Sequence, residues 1–365
     1  MKSLTKLFFF ICVTALLLTS CANSKVSSST HSETTNNFPE NIEETSSNKF
    51  LINAQCIYPS NFKPGIAKKA ELGEGLFWDK QDEIVDLFFG KKDVEKEYLN
   101  EYDTSKDITF LTDSENTMLQ ITDNNYIVYN TQQALYIQNV INTDDNYESY
   151  NGDKYQKITD LDFMTQDEAW KTVKEFMEKL NVEVSDSYVC YVMDHNTMET
   201  EENRLANLAE SLGEKTPQMK GSWTPDDDSY YFLTRTCWEG YPVLPQLSGE
   251  GIDENNVIIL VNANGIISLS ISGYYPLKLS NETEIQSPNS VIPRLQTFLS
   301  NIISNDTYEL ESIELCQKAT GIDFKKHTAN IIPVWKCNVL VTNAESNDSY
   351  IQTILFNAET LENVQ

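Results

Sequence analysis

From Phe50 to Pro59 (FLINAQCIYP) apolar and polar residues alternate up to a proline, which predicts a strand. Leu76, Ile84, Leu87 and Phe88 then recur at helical spacing, predicting a helix over 76–89 with Asp79 placed to cap its start and Gly90 closing it. Between Ile108 and Val140 the alternation returns, broken at Asp113-Ser114 and Asp123-Asn124-Asn125, as in an antiparallel meander. A polar loop follows from Asn142 to Asp153. Thr165-Gln166-Asp167-Glu168 is a capping box, and Ala169, Trp170, Val173, Phe176, Met177 and Leu180 behind it share one helical face. Further on the pattern predicts a strand at Ser187–Met193, an acidic helix over Glu199–Leu212, a loop with Trp223, a strand at Tyr230–Trp238 and a turn at Gly240-Tyr241-Pro242-Val243. Val257–Val261 and Ile266–Ser272 form a hairpin around Asn262-Ala263-Asn264-Gly265.

The last stretch repeats that order: a helix over Ser287–Ile303, then strands at Tyr308–Gln317, Ile332–Thr342 and Tyr350–Asn357. Val261-Asn262-Ala263-Asn264-Gly265-Ile266 is echoed by Phe356-Asn357-Ala358-Glu359-Thr360-Leu361. The expected class is α+β, antiparallel sheets each packed by a helix, with two related helix-plus-strands units in the C-terminal two thirds. The expected divisions are an N-terminal α+β domain over 50–160 and the two units over 161–280 and 281–365. Cys190 and Cys316 fall on the first strand of each unit, Cys237 and Cys337 on the second. If those strands pair, Cys190–Cys237 and Cys316–Cys337 are candidate disulfides; otherwise all four are small buried apolar residues, and with Cys56 the odd number leaves a free thiol.

The N-terminus carries a different pattern. Lys2 and Lys6 precede an apolar run, Leu7 to Leu18, and Leu18-Thr19-Ser20-Cys21 closes it. A helix of about twelve residues reaches roughly 18 Å, short of a hydrocarbon core of about 30 Å. The order is that of a secretory signal, and it resembles a bacterial lipoprotein signal, which implies lipidation of Cys21 and cleavage before it. Residues 1–20 are then the signal and 21–49, rich in Ser, Thr, Asn and Glu, a disordered tether holding the folded part off a membrane. The expected location is the extracytoplasmic face of a bacterial cell membrane.

Charge narrows the partners. The chain carries 27 Lys and Arg against 55 Asp and Glu, a formal charge of -28, which excludes the basic faces that nucleic acid requires. A cation or a basic partner would look to Asp144-Asp145 or Asp226-Asp227-Asp228. Three histidines, His31, His195 and His327, form no paired-ligand motif, so no metal centre and no cofactor are expected. Leu247-Ser248-Gly249 has Gln246 where a nucleophile elbow needs glycine, and Gly249-Glu250-Gly251 lacks dinucleotide spacing. Trp170, Trp238 and Trp335 sit on apolar faces, and Trp223, in a loop, is expected to pack there, with an exposed aromatic contact as the alternative.

The order helix, strand, strand and a Gly-x-Pro-Val turn, with Ile331-Ile332-Pro333-Val334-Trp335 and Ile354-Leu355-Phe356-Asn357-Ala358, resembles the PepSY-like units of extracytoplasmic proteins, including regulators of the YycH and YycI type. The complete chain resembles a lipoprotein family of Gram-positive gut bacteria. That resemblance implies a binding, sensory or regulatory role, a membrane contact through the lipid on Cys21, a protein or peptide partner and no catalytic residues. A solute-binding lipoprotein of a transporter is the alternative, with a cell-surface hydrolase behind it.

Overall fold

The capping box at Thr165 forms as its residues require. The Thr165 hydroxyl accepts the Glu168 amide at 3.2 Å and the Glu168 carboxylate accepts the Thr165 amide at 2.9 Å, so two of the orphan donors at a helix start are satisfied reciprocally. Behind it Ala169, Trp170, Val173 and Met177 are buried on one face. The computed structural model describes residues 38–364 apart from 48, 102–105, 145–146, 156–158, 245–254, 303, 324–325 and 327.

Along the described chain come β1 (Asn41–Ser47), β2 (Phe50–Ile57), β3 (Ile66–Leu72), α1 (Gln81–Phe89), β4 (Glu95–Glu101), β5 (Lys106–Thr112), β6 (Met118–Thr122) and β7 (Ile127–Asn130). Then follow α2 (Gln132–Gln138), α3 (Gln166–Lys179), β8 (Glu183–Val184), β9 (Val189–Met193), α4 (His195–Leu212), β10 (Ser229–Thr234), β11 (Thr236–Trp238) and β12 (Tyr241–Leu244). The chain finishes with β13 (Val257–Asn262), β14 (Gly265–Ile271), β15 (Leu277–Glu284), α5 (Ile292–Ser300), β16 (Thr307–Asp323), β17 (Thr328–Thr342) and β18 (Ser349–Asn357). The fold is α+β, as its sequence pattern implies.

One sheet runs β4-β5-β6-β7-β14-β13-β10-β9, antiparallel throughout. Helix α3 packs on one face with Phe232, Ile259, Val261 and Leu269, while Met198 of α4 and Ile137 of α2 pack on the other with Tyr231 and Leu260. Burial on both faces explains why β10 and β13 read as continuous apolar runs rather than as alternation. The second sheet centres on β16, which pairs antiparallel with β17 and parallel with both β2 and β12; β17 carries β18, and β12 leads through β11 to β8. Helix α5 covers one face of it through Ile292, Leu295 and Leu299, packed with Ile52, Leu310, Ile313 and Val339. A two-stranded ribbon, β3 with β15, forms a separate sheet that packs on the second through Ala70 and Leu72 against Val243, Ala319 and Ile331.

These pairings correct the expected divisions. Strand β2, assigned to a 50–160 domain, pairs with β16, and β4–β7 of that same stretch extend the sheet built by β9, β10, β13 and β14. Helix followed by antiparallel strands does occur twice, α3 with β9-β10-β13-β14 and α5 with β16-β17-β18, but residues 36–365 form one compact unit. The expected tether is shorter at its C-terminal end: β1 pairs with β2, and the Phe38 ring lies 5.4 Å from Phe62 and 6.5 Å from Trp335. Tyr58 reinforces this attachment by donating to the Pro39 carbonyl at 2.7 Å. Residues 1–37, including Cys21, lie outside the described residues.

Local departures have local causes. Residues 77–80 form a tight turn ahead of α1, whose cap position is Lys80 without a side-chain bond, so Asp79 does not cap it. Thr131 caps α2, a helix standing where alternation suggested strand, by accepting the Ala134 amide at 3.2 Å. The expected turn at 240–243 is displaced: Glu239 (φ 48°) and Gly240 (φ 80°) make a two-residue hairpin turn, and Tyr241 onward is strand β12.

Candidate functional site

Strands β10 and β11 are one run of chain that changes sheets at Arg235. Before it Ser229–Thr234 pairs with β9 and β13; after it Thr236–Trp238 pairs with β8 and β12. The Arg235 guanidinium forks onto Glu314 of β16, Nη1 donating to Oε2 at 2.8 Å and Nη2 to Oε1. Lys336, opposite Glu314 in the β16–β17 register, brings its Nζ to 3.7 Å from the same Oε2. Glu314 and Lys336 are buried, and Arg235 is largely so. Burial works against the charge on Arg235, but the hydrogen bonds and charge of Glu314 outweigh it and hold the guanidinium pKa above its ordinary value. A cavity of about 280 Å³ opens beside the pair, with Ser60, Asp186 and Ser187 in its lining.

Also beside β8 and β11 lies a cleft of about 410 Å³, lined by Glu74, Glu178 and Glu183 together with Trp238, Tyr274 and Tyr275. Glu178, Glu183 and Tyr274 are placed by local devices. The end of α3 delivers Glu178, and Asn181 (φ 57°) turns the chain into β8. The Tyr274 hydroxyl donates to the Asn181 carbonyl at 2.9 Å, its ring stacks on Phe77 at 5.1 Å, and burial pushes its pKa up to about 12. Buried Asn125, at the β6–β7 turn, accepts the Phe77 amide at 2.6 Å and donates to the Tyr274 carbonyl at 2.7 Å, fixing that wall. Glu183 accepts the amides of Glu239 and Gly240 at 2.7 and 2.8 Å, so this carboxylate also holds the β11–β12 turn. Carboxylates beside aromatic faces attract cations through charge and through the ring quadrupole.

The acidic run is a structural clamp. Asp227 accepts from Lys220 Nζ at 2.6 Å, from the Thr224 amide at 2.9 Å and from Gln133 at 2.9 Å; burial pushes its pKa up, but these bonds outweigh that and hold it below the ordinary value. Asp228 accepts from the His195 amide at 2.7 Å and lies 2.8 Å from His195 Nδ1. Trp223 is buried, in keeping with loop packing rather than with the alternative of an exposed contact, and donates to Glu202 at 3.0 Å; Glu202 also takes the amides of Lys220 and Gly221. Among the described residues no group of three or more His, Cys, Asp or Glu could hold a metal ion. His31, His327, Asp145 and the Ser248 and Gly249 segments lie outside the described residues.

The candidate disulfides do not form. Cys190, Cys237, Cys316 and Cys337, with Cys56, are free and buried. Cys190 sits opposite Phe232 in one sheet while Cys237 belongs to the other, so their strands never meet as a pair. Cys316 faces Val334 in register and Cys337 faces Ile313. The offset of three residues puts the two on opposite faces of the sheet and about 10 Å apart along it, beyond the roughly 7 Å that a bridge spans. Burial raises every one of these thiols, Cys190 and Cys237 to about 12.

Two outcomes follow for residues 36–365. Unfolded, this unit should show five thiols to a colorimetric reagent; folded at neutral pH it should show essentially none. Because the folded thiols hold their protons to higher pH than the unfolded ones, near 9.0, the stability they contribute is complete below pH 9 and is lost as pH rises toward 12. The unfolding free energy from urea titrations should therefore stay level to pH 8 and fall above 9, by up to about 1.4 kcal/mol per pH unit for each thiol. A level free energy to pH 11 would contradict the burial of these groups.

Comparison with known proteins supports the fold. No protein-family model matches the chain, and no curated protein sequence matches it. Among solved structures it is similar to a protein from Eubacterium rectale ATCC 33656, described as uncharacterized, at a TM-score of 0.63 and 17% identity, over 90% of this chain and 94% of that one. The likeness defines an architecture, not an activity.

Proposed function

We propose that this chain is a lipid-anchored extracytoplasmic protein that acts by binding, with the cleft beside β8 and β11 receiving a cationic group of a protein or peptide partner. The cleft carries the reading: three carboxylates and three aromatic residues line about 410 Å³, within the range of ligand sites, on a chain whose charge of -28 draws cations from a distance. The signal pattern ending at Cys21 supports the anchor, and the PepSY-like order of elements supports a regulatory or sensory partner over a transported solute. Two acyl chains anchor stably where one is marginal.

Trp238 supplies the test. Titrating residues 36–365 with a lysine-rich peptide should change the tryptophan emission, and Trp238→Phe should remove most of that change; an unchanged signal, or an equal response to a glutamate-rich peptide, would sink the cleft. The anchor is tested separately: Cys21→Ser should move the protein from the membrane fraction to the soluble extracytoplasmic one without altering its melting curve. A variant still held in membranes would overturn it.

A further inference from the structure

Strand β18 differs from the other sheet edges. It pairs with β17 along its whole length, from Ser349 opposite Thr342 to Asn357 opposite Val334. Its second edge is met near the C-terminal end, where Asn357 donates to the Glu362 carbonyl at 2.8 Å and Val364 donates to the Leu355 carbonyl at 3.0 Å. Over Ser349–Gln352 no described strand lies against it. An open edge is a template for another strand, and proteins blunt such edges with charge, proline or cover. Strand β1 has exposed Glu43 and Glu44 on its edge, and β4 has exposed Glu95, Lys96 and Glu97. Cys190 to Met193 of β9 are buried. Strand β18, Ser-Tyr-Ile-Gln-Thr-Ile-Leu-Phe-Asn, has no charge and no proline, and Tyr350 and Ile351 are 56% and 47% exposed on its opposite faces.

We propose that this edge is a self-association surface, where Ser349–Gln352 pairs antiparallel with the same segment of a second copy. Charge selects the occupant. Two copies, each at -28, repel over most of their surfaces and approach at lowest cost along an uncharged strand, whereas a basic partner is drawn to the acidic edges instead. Antiparallel pairing of one segment with itself closes under a two-fold axis, extends the β16-β17-β18 ladder across both copies and covers Tyr350 and Ile351 on the two faces.

Sedimentation or light-scattering mass of residues 36–365 tests this. At high micromolar concentration the mass should approach that of two copies. Because the contact is neutral and the bodies repel, added salt should tighten the dimer, the reverse of an ion-paired interface. Tyr350→Glu with Ile351→Glu, both at exposed positions, should return the protein to the monomer mass, weakening association by about tenfold or more, with an unchanged melting curve. A wild type that stays monomeric at high concentration, a dimer that loosens with salt, or a double variant that dimerises as before would each overturn the proposal. If the double variant melts early, Ile351→Lys alone with an intact melting curve decides: dimer loss supports the edge, dimer retention overturns it.

Discussion

Glu314→Ala is expected to destabilise the folded protein by about 3–5 kcal/mol, the range for removing one partner of a buried ion pair. The Glu314 side chain is 6% exposed, Arg235 16% and Lys336 1%. Removing the carboxylate leaves the Arg235 guanidinium without the oxygens it forks on, and takes a counter-charge from Lys336, in a place where water reaches neither freely. The loss also falls where the chain passes from one sheet to the other, so the cleft and the pair fail together. Denaturant unfolding measures the cost. Arg235→Met and Glu314→Leu combined with Lys336→Met should recover most of it, because apolar residues of similar volume at all three positions leave no buried charge behind. A single variant that costs less than about 1 kcal/mol would mean the pair behaves as a surface contact.

Trp335→Ala is expected to cost a similar amount, about 3–5 kcal/mol, with a local signature that distinguishes it. Trp335 is fully buried, donates to the Gln286 carbonyl at 3.1 Å, and its ring lies 6.2 Å from Tyr58 and 6.5 Å from Phe38. The cavity left behind undermines the aromatic cluster that holds Phe38 and, through it, the entry into β1. Limited proteolysis should therefore cut the variant between Phe38 and Lys49 before global unfolding, while the wild type resists there. Equal protection in both would show that β1 is held by its pairing with β2 alone.

The sequence made the local devices legible and the distant pairings not. The Thr165 box, the hairpin at Asn262–Gly265 and the strands β16 to β18 are written in cap residues, turn residues and apolar runs of adequate length. Helix α2 was hidden because seven residues hold too few turns to show a helical period, and β15 because exposure on both faces leaves no alternation to read. Strand β1, Asn-Ile-Glu-Glu-Thr-Ser-Ser, has the composition of a tether and becomes a strand by borrowing β2. The parallel union of β2 with β16 joins segments about 250 residues apart in sequence, which no local pattern encodes, and the misplaced domain divisions follow from it. Part of the candidate site did leave a trace. Arg235, Glu314 and Lys336 each interrupt an apolar strand with a charge, a pattern that signals a paired group on a buried face. The cleft residues Glu74, Glu178 and Trp238 come from three separated segments and carry no shared signal.

Calorimetric titration of residues 36–365 with a lysine-rich peptide tests the account most directly, run beside the variant carrying Glu74→Gln and Glu178→Gln, two exposed positions that leave the Glu183 turn clamp intact. Saturable binding by the wild type that weakens about tenfold or more in the variant, at an unchanged melting temperature, is the predicted result. Equal affinity in the two proteins, or no binding by the wild type, would contradict a cation-binding cleft.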